Sequence, residues 1–214
     1  MNFKLILKVL GRVELVVAVS MGLPLICALI YGEDPTPFLY SMAIILCVSI
    51  PLSCLPTKDT SFFLREGFTT VGLIWLFTGV VGGLPFLFDG GGGFNTIWDC
   101  IFEASSGFTT TGATILTDIE SLPYGILLWR AFTHWLGGMG ILVLATALLP
   151  SMGVRSHYLA QAESPGPVFS KLVPKQSQTS KILYGIYCVM TAVEVVLLKL
   201  AGMPIYDALV HAFS

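Results

Sequence analysis

Residues 96–114 read T-I-W-D-C-I-F-E-A-S-S-G-F-T-T-T-G-A-T, and the reading of this stretch decides the fold. Its first part, 96–108, is an amphipathic helix too short to cross a bilayer, which takes about 20 residues. A loop of threonines with one glycine follows, and long apolar segments flank the whole on both sides. Irregular backbone survives at membrane depth only where protein or a water-filled path surrounds it. A short helix that dips into the membrane and hands over to a Thr/Gly loop is how a cation filter is built.

Composition places the rest of the chain in lipid. Of 214 residues 55% are hydrophobic and 11% charged, with a mean hydropathy of +0.83. A soluble domain carries about 25% charged residues. Five segments are long enough to span, at 9–31, 38–56, 67–88, 122–150 and 182–201. Pro24 is expected to kink the first, while Pro85 and Pro150 mark the ends of the third and fourth. The run from Val13 to Tyr31 is long for the core of a secretory leader and no A-x-A-like site follows it, so it reads as a retained helix. The cysteines at 27, 47, 54, 100 and 188 show no C-x-x-C spacing and read as small buried hydrophobes.

Charge sets the orientation. Lys4, Lys8 and Arg12 precede the first span, Lys58 and Arg65 lie between the second and third, and Arg155, Lys171, Lys175 and Lys181 lie between the fourth and fifth. The alternate loops carry Glu33, Asp34, Asp89, Asp118 and Glu120 without a lysine or arginine. The positive-inside rule then puts the N-terminus and the 151–181 loop in the cytoplasm, and the short helix starts from the outer face.

The short helix has an echo. Residues 97–106, I-W-D-C-I-F-E-A-S-S, return 108 positions later as I-Y-D-A-L-V-H-A-F-S at 205–214. Ile97, Asp99, Ala104 and Ser106 recur as Ile205, Asp207, Ala212 and Ser214, and each copy follows a long span ending in Gly-x-Pro. The repeated unit is an outward helix, a re-entrant helix, a filter loop and a returning helix. Repeats in transporters put the substrate path at their interface.

With these blocks in place, the chain resembles the Trk/Ktr/HKT potassium-transporter superfamily, most closely the TrkH-type membrane subunit. The residues that carry the resemblance are R-E-G-F (65–68), F-E-A-S-S-G-F-T-T-T-G-A-T (102–114), W-R-A-F-T-H-W-L-G-G-M-G-I (129–141) and the tail from Tyr206 to Ser214. The resemblance implies four pore units around one path, preceded by two extra helices. The expected fold class is thus an all-α integral membrane protein. Residues 1–60 would be two leading helices, 61–150 a complete pore repeat, 151–181 a cytoplasmic loop, and 182–214 the start of a second repeat, truncated before its filter.

The implied function is potassium uptake through a Thr/Gly filter in the inner (cytoplasmic) membrane. Thr109, Thr110, Thr111, Gly112 and Ala113 are the filter candidates, with Thr110 and Thr111 supplying the potassium-contacting oxygens by resemblance. Gly112 permits a backbone that a Cβ would penalise, and a single glycine implies looser discrimination against sodium than T-V-G-Y-G gives. The resemblance also implies a homodimer and a TrkA-type nucleotide-binding cytosolic subunit as partners, besides the lipid bilayer. No nucleic acid and no cofactor is expected, potassium being cargo. The alternatives are a truncated, non-conducting fragment or structural module, and a channel of four chains that each donate one filter.

Other residues keep two readings. Asp99 stands three after Thr96 at capping-box spacing, and Asp207 is expected to repeat that role. Glu103 either tunes cation entry or supports the filter. Arg130 holds the filter loop from behind through aspartate or carbonyl contacts, or repels wrong ions, or snorkels to the outer surface. His134 reads as a packing histidine rather than a proton carrier. Gly137, Gly138 and Gly140 allow close helix approach or form a hinge, and Glu194 is expected to be a buried carboxylate. With no nucleophile–base pair, zinc spacing or phosphate loop, an enzyme is not expected.

Overall fold

The computed structural model describes residues 2–57, 64–91, 93–138, 140 and 176–214, all of them helix or connection. The elements are α1 (Phe3–Ser20), α2 (Gly22–Tyr31), α3 (Thr36–Ser53), α4 (Leu64–Gly82), α5 (Leu84–Asp89), α6 (Ile97–Phe108), α7 (Tyr124–Gly138), α8 (Gln176–Leu200) and α9 (Ile205–Phe213). Lys58, most of the 151–181 loop and the fourth span beyond Gly140, with Pro150, lie outside the described residues.

Among the described residues, four segments are long and apolar enough to cross a membrane: Phe3–Tyr31, Thr36–Ser53, Glu66–Asp89 and Lys181–Leu200. The first begins six residues before its expected start at 9, because the lysines and arginine of α1 sit on a helix whose other face is apolar. That face, Leu5, Ile6, Val9, Leu10, Val13 and Val17, is buried at helical spacing. The expected break falls at Met21, between α1 and α2. Pro24 has no N–H for the carbonyl of Ser20, so the ladder is interrupted there.

Pro85 does something other than expected. It sits in the first turn of α5, and the helix runs on to Asp89 before Gly90, at φ +62°, stops it. A proline is tolerated in a first turn, where its missing N–H has no partner to lose. The echo at Gly202-Met203-Pro204 has another job. There Gly202 at φ +100° ends α8, and Met203 N–H bonds the Leu198 carbonyl, closing a Schellman motif. The two Gly-x-Pro sequences are therefore not equivalent: one interrupts a membrane span one short helix before its end, and the other separates a span from the short helix that follows.

α1 packs on α3 and α4, and α2 packs on α7. Glu33, in the turn between α2 and α3, ties the leading helices to the next unit. Its carboxylate accepts from Tyr124 N at 2.6 Å and Gly125 N at 2.9 Å, satisfying two open donors at the start of α7. Tyr31 stacks on Tyr124 at 4.1 Å between ring centres, and Tyr206 of α9 closes edge-on and donates to the Tyr124 carbonyl at 2.7 Å. Beside Glu33, the Asp34 carboxylate accepts from the Thr36 hydroxyl and N–H, which hold its carboxyl below the ordinary carboxylate range. Those bonds support the start of α3 at pH above that range and are lost as pH falls below it, through the lowered value.

Two expectations about buried groups fail. Cys27 and Cys100 are buried, but Cys47, on the side of α3 left largely uncovered by the described residues, and Cys54, at its C-terminal end, are exposed. Glu194 is exposed on α8, a helix that leaves most of its surface uncovered. α8 also begins at Gln176, six residues ahead of its expected span.

Candidate functional site

The site is built around α6. Its start is fixed as the sequence predicts, by a complete capping box: Thr96 Oγ1 accepts from Asp99 N at 3.2 Å, and the Asp99 carboxylate accepts from Thr96 N at 2.8 Å. Asn95 N adds a third bond to that carboxylate at 3.0 Å. Asp207 does not repeat this role, since the N-cap of α9 is Pro204, which has no hydroxyl to complete the box. Thr96→Ala is expected to cost about 1 kcal/mol, read as a lower thermal midpoint of the purified protein, with Thr96→Ser close to the parent.

Close packing holds the rest of α6. On one side, the α4–α5 junction meets it with small residues: a Cβ on Gly79 would lie 2.5 Å from Ser105 Oγ, and one on Gly83 2.8 Å from the Cys100 carbonyl. Trp129, fully buried on α7, donates to the Gly82 carbonyl at 2.9 Å and braces that junction from behind. On the other side, a Cβ on Gly137 would collide with the carbonyl of Phe108, and one on Gly138 would lie 2.6 Å from Tyr187 Oη. The close-approach reading of the glycine block thus holds for Gly137 and Gly138, while Gly140 has a left-handed φ of +68°.

At Phe108 the helix ends and residues 109–113 run on exposed. Thr109 N bonds the Ser105 carbonyl and Thr111 N the Ser106 carbonyl, both at 2.9 Å. Ser106 Oγ then donates to the Ala113 carbonyl at 2.6 Å, which draws that end of the strand back against α6. Thr109 and Thr111 have their hydroxyls 2.8 Å apart. Among the described residues, Thr110 is the one non-glycine with positive φ, at +54°, and Gly112 follows at +73°. Alternating left-handed residues turn successive carbonyls away from the helical direction.

Behind the strand lies a buried ion pair. Arg130 Nε donates to Glu103 Oε1 at 2.6 Å. The second carboxylate oxygen, Oε2, accepts from Thr114 Oγ1 at 3.0 Å and from Ile115 N at 3.3 Å. One carboxylate therefore joins α6, α7 and the end of the candidate filter strand. Arg130 turns inward to Glu103 rather than out to the surface. His134 lies one turn on, its Nδ1 3.1 Å from the Arg130 carbonyl, in packing contact as expected.

Sequence reasoning missed Thr114, Ser106 and Glu33 as anchors. The first two lie inside the quoted motif, but only the folded strand shows that Ser106 reaches Ala113. Nothing local links Glu33 to α7, 91 residues away. A cavity of about 1,200 Å³ lies between α7, α9, the 119–123 loop and the turn that carries Glu33 and Asp34, and Arg130 is among its lining residues.

These features define an integral membrane protein of helical pore-repeat type, in which a short helix presents an irregular strand held by buried charge. The chain belongs to the TrkH family of cation transport proteins, which it matches over residues 36–214. It is 40% identical to the Trk system potassium uptake protein TrkH of Salmonella typhimurium, over 100% of this chain and 45% of that protein. The identity to the Trk system potassium uptake protein TrkG of Escherichia coli K12 is 35%, over 92% of this chain and 41% of that one. The crystal structure of the potassium transporter TrkH from Vibrio parahaemolyticus superposes with a TM-score of 0.78 at 33% identity, covering 100% of this chain and 42% of that chain. The chain thus spans less than half the length of these relatives.

Proposed function

We propose that this chain forms the leading pore region of a potassium uptake subunit, and that potassium passes along the strand Thr109–Ala113. The observation that carries the reading is the exposed left-handed Thr110 of that strand. A β-branched residue at φ +54° costs about 1–2 kcal/mol relative to glycine, and such strain persists where the surroundings over-determine it, typically at functional sites. In this reading the carbonyls of Thr109, Thr110, Thr111 and Gly112 face the ion, with the Thr110 and Thr111 side chains contributing oxygen. Ala113, whose carbonyl accepts from Ser106, anchors the strand. The C-terminal end of α6, with its partial negative charge, favours a cation beside it.

The orientation in this proposal has the N-terminus in the cytoplasm of an inner membrane, on the lysine and arginine distribution. The potassium uptake named for the relatives supports the choice of ion. Their designation as parts of a Trk system supports assembly with other components, of which a TrkA-type nucleotide-binding subunit and a second copy are the two we assign.

The test is rubidium uptake by potassium-transport-deficient cells expressing the protein that carries this chain. Thr110→Gly is expected to raise the thermal midpoint, by relief of about 1–2 kcal/mol of strain, while sodium becomes a stronger competitor of uptake. A more stable variant with unchanged uptake and unchanged sodium competition would make the strand an ordinary turn and defeat the proposal.

A further inference from the structure

Glu14 lies well inside the first membrane-crossing segment, Phe3–Tyr31, and is 4% exposed. It faces α4, not solvent or a cation. Its Oε1 accepts from Thr78 Oγ1 at 3.0 Å, and its Oε2 is buried with no hydrogen-bond partner among the described residues. A carboxylate placed so would leave a full charge in an apolar interior with one donor to answer it. A carboxylic acid has its proton to place, and Oε2 is the oxygen left to carry it.

Among the described residues, the groups around Glu14 offer no compensating charge. On α1, Arg12 is two positions away and so on another face, and Lys8 is six positions back, nearer the membrane surface. α3 carries no Asp, Glu, Lys, Arg or His, and its Tyr40 and Cys47 are exposed on its outer side. On α4 from Glu66 onward, Glu66 is the one charged residue, twelve positions from Thr78, or about 18 Å along the helix.

We propose that Glu14 is a proton-binding site inside the membrane, with the proton on Oε2, and that the neutral acid is the form that docks α1 on α4. The contact reaches the pore helix in one step. Gly79, next to Thr78, is the residue that Ser105 of α6 packs against, and the Ser105 carbonyl accepts from Thr109 N at 2.9 Å and Thr109 Oγ1 at 2.7 Å. Loss of the proton would put a charge against Thr78 and loosen the wall that positions α6. The direction follows: docking is intact while the acid is protonated and is lost as rising pH removes the proton.

Infrared spectroscopy of the membrane-embedded protein tests the site without reference to transport. A carboxylic-acid C=O band present at neutral pH should vanish in Glu14→Gln and shift in Glu14→Asp. An unchanged spectrum in Glu14→Gln would show an ionised Glu14 and overturn the proposal. The second arm, which rests on the potassium-uptake reading, follows rubidium uptake against pH. Uptake should fall at alkaline pH in the parent and hold level in Glu14→Gln, which mimics the neutral acid. Glu14→Gln losing uptake as fully as Glu14→Ala, at equal membrane abundance, would mean a charged carboxylate is required and would equally overturn it. If the infrared arm succeeds while the parent takes up no rubidium at any pH, the uptake reading fails and the proton site stands.

Discussion

Arg130→Gln is expected to lower stability by about 3–5 kcal/mol and to abolish uptake. Removing one member of a buried ion pair leaves the other as an uncompensated charge, and that penalty exceeds what the pair itself contributes. Here the stranded group is Glu103, which is 1% exposed and cannot turn to water. Its other oxygen holds Thr114 and Ile115, so a carboxyl that takes up a proton or rotates to find a donor releases the strand. A double substitution separates the two consequences. Glu103→Leu with Arg130→Leu removes both charges and should recover much of the thermal midpoint, since apolar replacement of a buried pair is often neutral. It should not recover rubidium uptake, because Thr114 Oγ1 and Ile115 N then have no carboxylate to bond. Arg130→Gln with parental stability and uptake would return Arg130 to the role of an outer, snorkelling residue.

That pair also shows where sequence reasoning stops. Each partner was a candidate support residue on its own, Glu103 from the short helix and Arg130 from the fourth span. Their meeting across 27 positions depends on how deep α6 and α7 sit relative to one another. No periodicity encodes that depth; it is fixed by contacts such as Glu33 on the start of α7 and Gly137 on the end of α6. Local signals were legible for the opposite reason. The Thr96–Asp99 box, the left-handed Gly112 and the start of α9 at Ile205 depend on residues within a few positions of each other. The repeat misled where the same tripeptide has different neighbours. Gly83-Leu84-Pro85 is followed by the apolar F-L-F of α5, so the helix resumes, whereas Gly202-Met203-Pro204 leads directly into the second short helix. Exposure on α3 misled likewise, because an apolar residue facing lipid and one facing protein look alike in sequence.

Gly137→Ala is the second large effect expected, and it arises from one methyl group. A Cβ there would overlap the carbonyl of Phe108 and lie 2.6 Å from its carbonyl carbon and 2.9 Å from its Cα. These are backbone atoms, so no rotamer change relieves the contact; α7 and the end of α6 must separate. Overpacking of this kind costs about 1–3 kcal/mol. The separation falls at the residue that leads into Thr109, and it also pulls α7, with Arg130, away from Glu103. A cost of about 1.4 kcal/mol borne by the conducting arrangement alone reduces its population about tenfold, so uptake should drop by at least that much at equal abundance. Gly22→Ala is the control, since a Cβ at Gly22 meets nothing within 4 Å and should leave uptake at the parental level. A hinge reading of the glycine block predicts a different pattern: altered gating with little change in thermal midpoint. A lowered midpoint together with lost uptake in Gly137→Ala would identify the glycine as the contact that seats the pore helix, and an unchanged midpoint would favour the hinge.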